Sequence, residues 1–312
     1  MYTCLHTSQS ATVAVRHLDY HVRRWGAPTA GAQPPLVLLH GWMDVGASWQ
    51  FVVDAFSDAF LAQRAIVAPD WRGFGRTPRP AGTDCYHFVD YLADLDQLLD
   101  QVAGGQPVDL VGHSMGGNVA MMYAGARPER IRRLVNLEGF GMPASTPQSV
   151  PGRLAQWMDG INQCERGVLD LKDYDSADAV AQRLIKTNPR LAPDKARWLA
   201  RQWAREGEDG RWRILGDAAH KIPSALPYRV DEAQALYAAI TAPVLAVHAS
   251  DDSLGRWYQG KYTLEQYLQR LTAVRDVRTA VVQDAGHMLH HDQPRAVAAL
   301  IERFVQGEPP GA

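Results

Sequence analysis

The sequence lacks the features that mark several classes of protein. It contains only three cysteines in 312 residues, far apart and odd in number, so neither a disulfide framework nor a metal-binding spacing can be read from them. No apolar run approaches the roughly 18 residues that a membrane-spanning helix needs. The formal net charge is −2, with both signs scattered along the chain. This balance gives no reason to expect a nucleic acid or an anionic membrane as a partner.

Signals for targeting and for cofactors are also missing. The first ten residues have neither a basic start nor an apolar stretch, so we expect no secretory signal and a cytoplasmic location. No glycine-rich phosphate loop and no cluster of metal ligands indicates a cofactor or a metal. The composition is that of an ordinary globular protein, 46% hydrophobic and 21% charged. The chain is long enough to bury a sizeable core, and its oligomeric state cannot be predicted.

Short apolar runs alternate with longer helical patterns, which is typical of a parallel sheet covered by helices. The runs lack polar alternation, as expected of strands buried on both faces. Two earlier segments, 12–15 and 18–24, alternate better and predict an antiparallel hairpin at the sheet edge. The buried strands are predicted at 36–39, 65–68, 108–111, 134–137, 244–248 and 277–282, and helices at 86–102, 115–126, 263–271 and 294–304.

The pattern changes between Gly139 and about Asp231. Helix-like stretches follow one another there without a convincing strand, and the region is rich in tryptophan. We interpret residues 141–231 as a helical insertion over the sheet, with the core formed by residues 1–140 and 232–312.

The strongest local signal is a G-x-S-x-G pattern around Ser114, between an apolar strand and a helix. A serine on a sharp strand-to-helix turn adopts a strained backbone that holds its hydroxyl clear of the sheet. The turn is crowded, so glycine is needed at 112 and 116. The following helix points its N-terminus at the site, where free N–H groups favour developing negative charge. Ser114 is therefore the candidate nucleophile.

Four motifs in this order resemble the α/β-hydrolase family. They are His40-Gly41-Trp42, Asp70–Gly75 (DWRGFG), the turn around Ser114, and Asp284-Ala285-Gly286-His287. The resemblance covers nearly the whole chain. It implies an eight-stranded, mostly parallel sheet flanked by helices, with a cap inserted after the sixth strand, and a triad of serine, acid and histidine.

A serine hydroxyl needs an adjacent base at neutral pH, and the chain offers 11 histidines. The resemblance selects His287, which follows the last predicted strand. His290 and His291 are interpreted as surface residues, His113 as packing away from the site, and His40 as a structural hydrogen-bonding residue.

The acid must accept a hydrogen bond from the far imidazole nitrogen. Relatives often carry Gly-x-x-Asp after the strand at 244–248, and aligning Ala249 with that glycine selects Asp252. The glycine is absent here, so Asp251 stays open as an alternative. Glu138 is a further candidate, since it ends the preceding strand, where haloalkane dehalogenases of the family carry their acid.

An oxyanion needs two backbone N–H groups where its charge develops. Met115, directly after the nucleophile, is predicted to supply one, and Trp42, in the loop after the third strand, the other. Asp70 and Arg72 lie near the same sheet edge and are interpreted as a buried ion pair or as turn stabilisers.

A serine nucleophile limits the classes of reaction that the protein can catalyse. Family members that open epoxides or remove halides use an aspartate nucleophile, whereas a serine implies attack on an acyl carbon. We therefore expect a serine hydrolase that cleaves a small, apolar carboxylic ester through an acyl-enzyme. Carbon–carbon bond hydrolysis and cofactor-free perhydrolysis on the same triad stay open, as does a ligand-binding receptor of this fold with little or no turnover.

Overall fold

A computed structural model describes residues 2–26 and 33–308 of the chain. Within these ranges eleven strands are formed, and those of the main sheet confirm the predicted strand positions to within about three residues at either end. They are β1 (Gln9–Val15), β2 (Leu18–Trp25), β3 (Leu36–Leu39), β4 (Ile66–Pro69), β5 (Val108–His113), β6 (Ile131–Leu137), β7 (Asp173–Tyr174), β8 (Ala204–Glu206), β9 (Trp212–Ile214), β10 (Val244–Ala249) and β11 (Val277–Val282).

The helices alternate with the strands of the main sheet. Helix α4 begins and ends where the sequence predicts, after the nucleophile turn and just before Arg127-Pro128. The α-helices are α1 (Gln50–Val53), α2 (Asp58–Ala62), α3 (Phe88–Ala103), α4 (Met115–Ala126), α5 (Val150–Glu165), α6 (Ala177–Thr187), α7 (Pro193–Trp203), α8 (Val230–Ala239), α9 (Ser253–Tyr258), α10 (Leu264–Leu271), α11 (Leu289–Asp292) and α12 (Pro294–Gln306).

The main sheet has eight strands in the order β1-β2-β4-β3-β5-β6-β10-β11. The first two strands form the predicted antiparallel edge hairpin, and β2 also runs antiparallel to β4. The remaining neighbours are parallel. This arrangement confirms the predicted eight-stranded, mostly parallel sheet and brings the carboxyl ends of β3, β5, β6, β10 and β11 to one edge.

Apolar side chains cover both faces of this sheet. On one face they pack against α3, α4, α8 and α10, and on the other against α1, α2, α11 and α12. The parallel strands are buried on both sides, which explains why their sequences lack polar alternation. Of the described residues, none forms a helix long and apolar enough to cross a membrane.

The segment between β6 and β10 contains α5 to α8 and, in addition to the predicted helices, a small antiparallel sheet in the order β7-β9-β8. These strands are only two or three residues long, too short to leave a readable alternation in the sequence. The segment is fastened to the core near His220, whose ring stacks between Phe74 and Tyr86 at centroid distances of 3.7 and 3.6 Å. The predicted division of the chain at residues 141 and 231 stays a prediction.

Candidate active site

Ser114 lies on the turn between β5 and α4 with φ 53° and ψ −117°. A residue with a side chain rarely adopts positive φ, and such backbone strain persists only where the surroundings impose it. Here the Ser114 N–H donates to Leu137 O at 2.8 Å, and Ser114 O accepts from the Asn118 N–H at 3.0 Å inside α4. The neighbouring strand and the helix together hold the serine in this strained conformation.

Close packing explains the two glycines that flank the serine. A Cβ atom built on Gly112 would lie 2.3 Å from Gly116 O, and one built on Gly116 would lie 2.5 Å from Leu39 O. Both neighbouring atoms belong to the backbone and cannot rotate away. The sequence pattern around Ser114 is therefore a steric requirement of this turn.

The ring of His287 lies at the same edge of the sheet, on the loop between β11 and α11. Its Nδ1 is 3.2 Å from Oε2 of Glu138. Among the described residues, no hydrogen bond to Nε2 of this ring is found, so that nitrogen is free to accept a proton. The structure therefore brings Ser114, His287 and Glu138 to one edge.

Strand register explains how Glu138 reaches this position. His113 pairs with Leu137 across β5 and β6, so Ser114 and Glu138 each follow a paired residue directly. The Glu138 N–H donates to Val247 O at 2.9 Å, and its Oε1 accepts from the Ala249 N–H at 2.7 Å. The carboxyl group is thus held between two neighbouring strands with its second oxygen aimed at His287.

Burial shifts the pKa values of both Glu138 and His287. Glu138 is only 2% exposed, and desolvation raises the pKa of its carboxyl group to about 7. Desolvation also lowers the pKa of His287, to about 3. The imidazole is therefore neutral at neutral pH, the state that a general base requires.

Asp252 and Asp251 are hydrogen-bonded to groups other than His287. Asp252 is the N-cap of α9, and its Oδ1 accepts from the Gly255 N–H at 2.7 Å. Asp251 is held by Arg190, with Nη1 2.8 Å from Oδ2. Among the described residues, neither aspartate is hydrogen-bonded to His287. The local sequence explains the role of Asp252, because an aspartate three residues before a helical glycine N–H is a good N-cap.

The predicted oxyanion donors lie where the loop after β3 meets the turn. Met115 is the first residue of α4, so its N–H has no acceptor inside the helix. A Cβ atom built on Gly41 would be 3.1 Å from Ser114 Cβ, which shows how closely this loop approaches Ser114. Trp42 follows Gly41, and its indole N–H donates to His220 O at 3.3 Å.

Other predicted residues have structural roles. Nε2 of His40 accepts from the Trp71 N–H at 2.9 Å, as expected of a structural hydrogen-bonding residue. Asp70 accepts from the Gly46 N–H at 2.7 Å, whereas Arg72 forms a two-pronged ion pair with Asp94. Asp70 and Arg72 are both buried, but they do not pair with each other.

Three further histidines lie near His287. His113 is buried, and its Nε2 is 2.7 Å from His287 O. The expectation that His290 and His291 are surface residues is wrong: they are 0% and 4% exposed. The short helix α11 turns both rings into the protein, against Trp49 and Phe51.

Two exposed tryptophans lie beside His287 and in the loop after β3. The indole of Trp257 is half exposed and meets the His287 ring edge-on, with a centroid distance of 4.0 Å, and Trp42 is also half exposed. Of the ten exposed large apolar residues in the part of the chain that the structure describes, five lie within residues 141–231: Met142, Leu154, Met158, Val168 and Leu226. A cavity of about 130 Å³ is lined by Glu138, Asp251 and Asp252 among others, but neither Ser114 nor His287 lines it.

Comparison with known proteins gives consistent matches. A family model described as "alpha/beta hydrolase fold" matches residues 34–294. A serine hydrolase-like protein of Danio rerio is 27% identical over 92% of this chain and 85% of its own length. Epoxide hydrolase 3 of Siraitia grosvenorii is 27% identical over 89% of this chain and 93% of its own length. A thioesterase domain from the curacin biosynthetic pathway superposes with a TM-score of 0.79 at 24% identity, covering 95% of this chain and 99% of that domain.

Proposed function

The chain belongs to the α/β-hydrolase family and is a hydrolase, and from this premise we propose that it cleaves small carboxylic esters with Ser114 as nucleophile. In this proposal His287 takes the proton of the Ser114 hydroxyl through Nε2 and later returns it to the leaving group. Glu138 holds the other ring nitrogen and stabilises the imidazolium. The Met115 and Trp42 N–H groups bind the oxyanion.

The observation that carries this proposal is the contact between His287 Nδ1 and Glu138 Oε2. A base needs a third group that fixes its tautomer, and the 3.2 Å contact supports Glu138 in that role. Asp252, selected by the sequence, already accepts the Gly255 N–H. The geometry therefore favours Glu138 over Asp252 as the triad acid.

The serine argues against epoxide opening, although several relatives are named epoxide hydrolases. A carboxylate that attacks an epoxide forms an ester, which water can hydrolyse. A serine hydroxyl would form an ether, which a histidine and a water molecule cannot cleave. Attack by Ser114 on an acyl carbon instead gives an acyl-enzyme that water hydrolyses readily.

The surroundings favour an apolar acyl group. Trp257 and Trp42 are half exposed beside the base and the oxyanion loop, and the insertion presents further exposed apolar side chains. Apolar and aromatic side chains are the usual lining of small-molecule sites. We propose that residues 141–231 act as a cap that covers the substrate and selects it.

The test is hydrolysis of p-nitrophenyl esters of rising acyl length by the wild type and by Ser114→Ala. We expect turnover of the esters and a loss of at least about 10³-fold in kcat for the variant. A few β-diketones in the same panel would detect carbon–carbon bond cleavage. If folded wild-type protein bound esters but turned none of them over, a ligand-binding receptor would be the better description.

A further inference from the structure

Behind the base, a buried group of side chains holds several polar atoms without partners. It consists of Asp44, His290 and His291, which are 6%, 0% and 4% exposed. Both ring nitrogens of each histidine and Oδ2 of Asp44 are buried and make no hydrogen bond to the residues that the structure describes. Nearly all buried polar groups in proteins are paired, so five unpaired atoms in one place require an explanation such as an ion or bound water.

The donor set and its geometry suit a metal ion. One ligand atom from each of the three side chains can be chosen so that all lie within 4.8 Å of one another, and His290 Nε2 is 3.9 Å from Asp44 Oδ2. In a tetrahedral zinc site, ligand atoms about 2.0–2.2 Å from the ion are about 3.3 Å apart. Small side-chain rotations that move the ligand atoms by about an ångström would bring them to that spacing.

The residues around the group limit the choice of occupant. The hydroxyl of Ser48 donates to Oδ1 of Asp44 and leaves Oδ2 free, an arrangement in which a second residue orients a metal-binding carboxylate. The rings of Trp49 and Phe51 form the walls. Two imidazoles and one carboxylate are the ligands of zinc and of similar divalent transition metals, and they are a poor set for magnesium or calcium.

We propose that Asp44, His290 and His291 bind one divalent transition-metal ion of the zinc class, with a fourth position left for water. The ion would join two loops of the candidate active site. Asp44 lies two residues after Trp42, and the histidine pair begins three residues after His287. The metal therefore has a positioning role, since none of its ligands is placed to touch the substrate.

Direct binding of a metal tests this proposal without any assay of activity. Untagged full-length protein is stripped with a chelator and titrated with Co²⁺, whose visible absorption reports a tetrahedral site, and X-ray absorption on the Zn²⁺-loaded wild type counts imidazole ligands. We expect one ion per chain, two imidazoles bound to it, and a thermal midpoint that rises on loading. Asp44→Asn and His291→Gln should each bind at least about tenfold more weakly.

His17→Gln is the control, because His17 is an exposed histidine on the turn between β1 and β2, and it should bind the metal as the wild type does. The proposal is overturned if the wild type binds no Co²⁺, in which case buried water satisfies the five atoms. It is also overturned if folded Asp44→Asn and His291→Gln bind as tightly as the wild type, or if X-ray absorption finds no imidazole on the ion. The last result does not depend on whether the variants fold.

Discussion

Replacing Glu138 by Gln should lower the activity of the protein without destabilising its fold. The amide keeps the size of the side chain, and its oxygen can still accept from the Ala249 N–H. Its NH₂ group would then face Nδ1 of His287 and would favour the tautomer that carries the proton on Nε2. In that tautomer Nε2 cannot take the proton of the Ser114 hydroxyl. A comparable change in a chymotrypsin-like triad lowers kcat about 10⁴-fold, and we expect a loss of about 10³–10⁴-fold here.

The same substitution should stabilise the fold above neutral pH. Burial raises the pKa of Glu138 from 4.5 to about 7, so between these values the unfolded chain releases a proton that the folded protein keeps. The wild type therefore loses stability as the pH rises through this range. The rise in pKa corresponds to about 3 kcal/mol. Between pH 4 and pH 8, the free energy of unfolding of Glu138→Gln should therefore increase relative to that of the wild type by at most this amount.

The assay combines p-nitrophenyl ester kinetics with urea unfolding at several pH values. Asp252→Asn is the matched control, because it also replaces one carboxylate by an amide at the same sheet edge. Its kcat should stay within a few fold of the wild type. If Asp252→Asn lost activity about 10³-fold while Glu138→Gln retained it, Asp252 and not Glu138 would be the acid.

Three further outcomes follow from the site. First, kcat/KM should fall as the pH drops below about 7, because protonated Glu138 cannot stabilise the His287 imidazolium; a flat pH–rate profile between pH 8 and 5 would contradict this. Second, Gly41→Ala should lower kcat by about 10²-fold with little change in the urea midpoint, since its Cβ would displace Ser114; an unchanged kcat would be evidence against it. Third, Trp257→Ala should raise KM most for long acyl chains, and an equal effect on acetate and octanoate esters would remove this residue from the proposed substrate-binding surface.

Much of the architecture could be predicted because each feature has a local cause. The buried strands carry unbroken apolar runs, α4 is stopped by Arg127-Pro128, and Gly112 is required by its contact with the backbone of Gly116 in the same turn. The small sheet formed by β7, β8 and β9 could not be predicted, since its strands are too short to show a period.

The choice of the acid that pairs with His287 could not be made from the sequence. Glu138 and Asp252 both follow strands that end at the same edge, and the sequence alone does not say which carboxylate turns toward His287. The difference depends on strand register and on the capping of α9, which are properties of the folded chain. The group of Asp44, His290 and His291 was missed for a similar reason, because Asp44 is distant in sequence from the two histidines and meets them only when the loops after β3 and β11 pack together.

Covalent labelling of the folded wild type with a fluorophosphonate, followed by mass spectrometry of its peptides, tests directly whether Ser114 is the nucleophile. We expect one adduct, on Ser114, that appears at the rate at which ester hydrolysis is lost and is absent from Ser114→Ala. An adduct on another residue, or full inactivation of hydrolysis without modification of Ser114, would contradict the assignment of Ser114 as the nucleophile.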